Sequence, residues 1–165
     1  MDYIEGKGQF IETWGKLAIN WGVSRTIGQV HGLLLINPGH LSADEIMEEL
    51  KISRGNANTT LRTLISWGLV HKHHVAGERK EFFKGEKDMW KAMKAIIKMR
   101  KERELDPMIA ALDQVSQVKP LCSHSEEFCK TVKEIKMFST KAESALNNIS
   151  STEAKWLMSS MMKFL

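Results

Sequence analysis

Residues 53–62, SRGNANTTLR, concentrate side chains suited to an anionic, hydrogen-bonding surface. If the segment is helical, Ala57, Leu61, Leu64 and Ile65 share one side, and Arg54, Gly55, Asn56, Asn58, Thr59 and Arg62 fill the rest. That outward face holds no carboxylate, whereas an ordinary solvated helix mixes Glu with Lys. Arg matches the two acceptors of guanine, Asn matches the donor and acceptor of adenine, and small residues at a helix start let the backbone approach phosphate. The chemistry indicated is recognition rather than bond making.

Such a face needs elements that hold it outward. Upstream, LSADEIMEEL places Ser42 before a helix whose third residue is Glu45, a capping box, with Ile46, Met47 and Leu50 at helical spacing. Lys51 and Ile52 form a short turn, and Ser53 can cap the next helix, so a helix-turn-helix is predicted. Downstream, Gly68 closes that helix in a left-handed cap and residues 69–75 extend. Ala76, Gly77 and Glu78 reverse the chain, and residues 79–84 return as the second strand of a hairpin wing. From Ser53 to Lys84 there are six Lys or Arg against two acids. His71, His73 and His74 read as an exposed strand.

The remaining chain is mostly amphipathic helix. Residues 8–21 bring Phe10, Trp14, Leu17, Ala18 and Trp21 to one face, a packing or dimer surface, and residues 25–36 form a second helix ended by Asn37-Pro38-Gly39. After the wing, residues 86–104 form a helix with Asp88 as its cap, broken at Asp106-Pro107. Residues 108–118 follow with Ile109, Leu112 and Val115 expected to be buried. A long helix over residues 126–149 presents Phe128, Val132, Ile135, Phe138, Ala142, Leu146 and Ile149. A last helix capped by Ser151 or Thr152 carries Trp156, Leu157, Met161, Phe164 and Leu165, too apolar to stand in water without a partner surface.

At 165 residues with 24 basic and 20 acidic side chains, the chain is no bulk polycation, so a local basic surface is expected instead. No apolar run approaches the roughly 20 residues that cross a bilayer, and the acidic start lacks the build of a secretion signal, so a cytoplasmic protein without membrane contact is expected. Cys122 and Cys129, with His124 between them, supply too few ligands for a metal. His31, His71, His73 and His74 lack the partners of a nucleophile or metal site, so neither an enzyme nor a cofactor is expected.

The start ISRGNAN of the reading helix, the exit LRTLISWGLV and the wing AGERKEFF, followed by EKDMWK, resemble the GbsR-like branch of the MarR-type winged-helix transcriptional regulators. The opening FIETWGKLAINWGVSRTIGQVHGLLL is similar to that branch too, so the likeness covers roughly residues 8–104. The expected fold is mainly α with a small β-hairpin wing: a winged helix-turn-helix with additional N- and C-terminal dimerisation helices. The expected domains are residues 1–104, the DNA-binding part, and 105–165, a helical dimerisation region.

The resemblance implies a homodimeric regulator, expected to be a repressor, on a pseudo-palindromic double-stranded DNA operator. In part of the branch it also implies a quaternary ammonium effector such as choline. Tyr3, Trp14, Trp21 and Trp90 are aromatic residues from which a cage for such a cation could be drawn, and no ligand site is assigned. The expected DNA contacts are Ser53 and Gly55 at the helix start, Arg54, Asn56, Asn58 and Thr59 at base edges, and Arg62, Lys72 and Lys80 on phosphates. Arg79 is expected in the minor groove. The alternative is a winged-helix adaptor between proteins that reads no sequence. Salt-sensitive preference for one operator over random duplex separates the two.

Overall fold

The computed structural model describes residues 1–151. The elements run α1 (Tyr3–Asn20), α2 (Arg25–Ile36), β1 (Leu41–Ser42), α3 (Ala43–Leu50), α4 (Arg54–Ser66), β2 (Val70–His73), β3 (Phe82–Gly85) and α5 (Met89–Arg100). A π-helical turn, Lys101–Leu105, then leads into α6 (Asp106–Val115), and α7 (Ser123–Ser151) follows. The chain divides into two compact units, Met1–Ala95 and Ile96–Leu165. Among the described residues no helix is long and apolar enough to cross a membrane. The expected last helix, with Trp156, Leu157, Met161, Phe164 and Leu165, lies outside the described residues.

The first unit is built on α1 and α2, joined through Gly22 at φ 72° and capped at Ser24, whose Oγ accepts from the Ile27 amide at 3.3 Å. Glycines let the two helices touch: a Cβ on Gly28 would lie 2.5 Å from Ala18 Cβ and 2.8 Å from the Trp14 carbonyl oxygen. Helix α1 starts at Tyr3, ahead of the predicted residue 8, because Asp2 and Glu5 form a capping box that outweighs Gly6 and Gly8. Trp21, placed by the sequence on a packing face, stands 47% exposed. Val30, Leu33 and Leu34 of α2, Ile46 of α3, and Ala57, Leu61 and Leu64 of α4 are buried, together with Leu69, Val70 and Phe83. The exposed end of α2 is closed by Lys87, whose Nζ donates to the carbonyls of Leu34 (2.9 Å), Leu35 (2.6 Å) and Asn37 (2.5 Å). A cation there satisfies carbonyls the helix leaves open and favours the negative end of its dipole.

The wing is larger than a hairpin. β1 pairs antiparallel with β3, Leu41 opposite Phe83 and Ser42 opposite Phe82, giving a three-stranded sheet in the order β1-β3-β2. A two-residue strand shows no period, which is why it read only as the lead-in to α3. The β2–β3 ladder runs from Val70 opposite Gly85 to His73 opposite Phe82, shorter than the predicted 69–75 and 79–84 arms. Residues 74–81 form the tip, turned by Gly77 at φ 87°.

Two expectations about the second half need correction. Asp106-Pro107 does not break the helix. Arg100, Leu105 and Asp106 all keep right-handed helical dihedrals, and the Asp106 amide donates to the Lys101 carbonyl, five residues back. The wider π turn lies just ahead of Pro107, which has no N–H to give and whose ring would crowd the carbonyl four residues earlier in a regular α-helix. Nor are Ile109, Leu112 and Val115 buried in the described chain: the first two are half-buried and Val115 is 40% exposed. On α7, Val132 is buried, whereas Phe128, Ile135 and Phe138 are exposed.

Candidate nucleic-acid interface

Helix α4 is seated by its apolar side. Ala57, Leu61 and Leu64 are buried, and Thr60 joins them with its hydroxyl donating to Asn56 Oδ1 at 3.3 Å. The other side stays outside: Arg54, Gly55, Asn56, Asn58, Thr59 and Arg62 are all exposed. At the helix start the Ser53 Oγ accepts from the Asn56 amide at 3.3 Å, so this hydroxyl serves as the cap. A Cβ on Gly55 would meet nothing within 4 Å, so packing within the chain does not require glycine there.

Asn56 differs from its exposed neighbours. Its Nδ2 donates to Thr26 Oγ1 on α2 at 3.4 Å while its Oδ1 accepts from Thr60, so both ends of the amide are engaged inside the protein. Asn58 has no hydrogen-bond partner among the described residues and lines a cleft of about 250 Å³ with Ser42, Asp44, Arg54, Lys80 and Glu81. The structure thus brings Arg54 and Asn58 together with wing residue Lys80.

Lys72, on β2, reaches across the sheet to Glu81 Oε1 at 2.5 Å. The Lys72 ammonium holds the Glu81 carboxyl below the usual carboxylate range, with His74 and Arg62 adding to the same effect. Lys80 Nζ lies 3.7 Å from Asp44 Oδ2, and Arg54 Nη2 lies 3.3 Å from Asp44 Oδ1. Arg79, at the tip, is exposed and has no ion-pair partner among the described residues.

Asp44 is the site residue that sequence reasoning missed. It lies in the supporting helix, and no spacing shows that it points at a side chain ten residues later. The start of its helix is fixed by Ser42 and Glu45: Ser42 Oγ and N–H both donate to Glu45 Oε2, at 2.6 and 2.7 Å, and these bonds hold the Glu45 carboxyl below its ordinary pKa.

The histidines of β2 are exposed, as expected. His71 meets Glu86 at 3.1 Å, and His73 stacks on His40 with ring centroids 4.7 Å apart. Among the described residues no group of three or more His, Cys, Asp or Glu is arranged to hold a metal ion. The aromatic residues considered for a cation cage do not all meet along α1, where Tyr3 and Trp21 are separated by the helix length, about 27 Å at the usual rise. Trp14 is engaged instead, stacked on Phe10 and donating from Nε1 to His31 Nδ1 at 3.1 Å.

The chain forms a helix-turn-helix and a three-stranded wing, and the MarR family model matches residues 21–81, from the end of α1 into the wing. Residues 21–81 carry the match to the MarR family. The chain is 29% identical over 104 residues to the HTH-type transcriptional repressor GbsR of Bacillus subtilis (strain 168), covering 62% of this chain and 57% of that protein. It is 31% identical over 77 residues to the HTH-type transcriptional regulator MmpR5 of Mycobacterium tuberculosis, covering 46% and 47% of the two chains. The chain therefore spans about half the length of these curated relatives. In structure, it is similar to a crystal structure of a transcriptional regulator, with a TM-score of 0.68 at 21% identity over 87% of this chain and 94% of that one. That likeness bears on the fold. The matched residues contain α2, α3, α4, β2 and most of the wing, so nearly all of the basic surface lies within the match.

Proposed function

We propose that this chain is a sequence-specific DNA-binding transcriptional regulator that acts as a dimeric repressor. The observation that carries the reading is the exposed, acid-free face of α4 beside the basic wing, within the residues that match the MarR family. Two copies would set their α4 helices in successive major grooves about 34 Å apart. Arg54, Asn58 and Thr59 read base edges, Arg62, Lys72 and Lys80 neutralise phosphates, and Arg79 enters the minor groove. Ser53 and Gly55 shape the helix start for close approach of a phosphate. Asn56 reaches a base only by giving up its bonds to Thr26 and Thr60.

The apolar side chains on α7 support the dimer: Phe128, Ile135 and Phe138 are 42%, 44% and 73% exposed, too much apolar surface on one helix for a chain that stays alone. Selection of bound duplexes from a random pool tests the whole proposal. A two-fold symmetric consensus supports it, and failure to enrich any sequence counts against it. The quaternary ammonium effector, implied by resemblance to part of the GbsR-like branch, is tested by adding choline to the same assay and looking for release or tightening of the selected operator.

Arg54→Ala is expected to cost about 1 to 3 kcal/mol of operator binding and to relax preference at a single position. A uniform loss on all duplexes assigns Arg54 to the phosphates instead. Gly55→Ala should move two properties in opposite directions. The methyl meets no neighbour, so the helix gains about 0.5 kcal/mol of stability. On DNA the same methyl occupies the space a phosphate needs, and operator binding is expected to weaken roughly tenfold. Denaturant melts and titrations on the one variant check both signs.

A further inference from the structure

The ion pairs on the α4 and wing surface lead beyond DNA binding, although they rest on that reading. Asp44 holds Arg54 with one carboxylate oxygen and Lys80 with the other, at 3.3 and 3.7 Å. Glu81 holds Lys72 at 2.5 Å and lies within the field of Arg62. Four of the five cations assigned to DNA are thus under the influence of these two acids. Each partner in the three ion pairs is at least half exposed, so water screens the pairs and they contribute little to the stability of the fold. Asp44 also sits favourably in the first turn of α3, but Glu81 has no helix start to serve.

A carboxylate offers a cation the same kind of charge-assisted hydrogen bond as a phosphate does. We propose that Asp44 and Glu81 are specificity-determining residues that occupy the reading-surface cations as phosphate surrogates, so that only a duplex in the correct register displaces or reuses both. A non-specific complex gains little beyond phosphate neutralisation, and each acid cancels part of that gain and repels the backbone. In the operator complex Asp44 keeps a use: it steadies the Arg54 guanidinium while its other N–H groups face a base. Removing either acid therefore strengthens the wrong complexes more than the right one.

The test compares Asp44→Asn and Glu81→Gln with the wild-type chain on the selected operator and on random duplex, across a salt series. Glu48→Gln is the control, because Glu48 is an exposed acid one turn along α3 with no ion pair among the described residues. Each of the first two variants should bind random duplex about fivefold to tenfold tighter, with a salt dependence steeper by about one charge, and operator less than about twofold tighter. Glu48→Gln should leave the operator-to-random ratio within about twofold. The proposal is overturned if the ratio is unchanged in both variants, or if Glu48→Gln lowers it as far. Should Asp44→Asn lose its fold, Glu81→Gln carries the test alone. A wild-type chain that ignores every duplex defeats the DNA-binding reading itself, whereas a selective wild type with unaltered ratios in the variants defeats only this inference.

Discussion

Gly28→Ala should destabilise the first unit by about 3 kcal/mol, because the added methyl has nowhere to go. Its carbon would stand 2.5 Å from Ala18 Cβ, 2.8 Å from the Trp14 carbonyl oxygen and 3.0 Å from Gly15 Cα. Backbone atoms of α1 make two of those three contacts, so no rotamer change relieves them, and the helices must separate. Alanine is the better helix former by about 1 kcal/mol, which offsets only part of the strain. Gly55→Ala supplies the contrast within the same chain, since it makes the same chemical change where nothing lies within 4 Å. Chemical denaturation of the two variants should shift in opposite directions. A Gly28→Ala chain as stable as wild type would mean that α1 and α2 do not pack this closely.

Acidification should reveal His31. The side chain is 6% exposed, its Nδ1 accepts the Trp14 indole N–H, and its Nε2 has no hydrogen-bond partner among the described residues. With Nδ1 accepting, the neutral ring carries its proton on Nε2, and burial pushes the pKa down from 6.5 to about 4. The unfolded chain takes up a proton near 6.5, whereas the folded chain resists until about 4, so the unfolded state binds more protons between those values. The His31 contribution is therefore intact above about pH 6.5. It declines as pH falls towards 4, by about 3 kcal/mol in total, and changes no further below that. His31→Gln keeps an acceptor for Trp14 and removes the titration. The difference in unfolding free energy between wild type and variant should therefore fall across this window. Parallel pH profiles would show that His31 is not held neutral by burial.

Both predictions concern the α1–α2 pair, which read in the sequence only as two amphipathic helices. Trp14 reads as a packing-face residue and His31 as a histidine without catalytic or metal partners, and nothing in their spacing joins them. The local devices were legible. Ser42 with Glu45, Ser53, Gly68 and Gly77 all do what their neighbours in the chain imply, since a cap or a tight turn closes over three or four residues. The face of α4 was legible for the same reason, as a helix repeat sorts side chains without help from the rest of the fold. β1 was not legible, because its two residues pair with Phe82 and Phe83 far along the chain. Pro107 misled because a proline marks a helix end only when the preceding turn is regular, and here that turn is π.

The sequence by itself determined which elements form, where most of them are capped, and that one helix turns Arg, Asn and Thr outward beside a basic hairpin. Tertiary structure alone decided which of those side chains are free: Asn56 is tied to Thr26, thirty residues away, Arg54 and Lys80 are tied to Asp44, and Asn58 is left open. The division follows from range. Capping and periodicity act over one turn and are written in spacing, whereas the partner of an outward side chain depends on where another element crosses it, which packing of the whole unit sets.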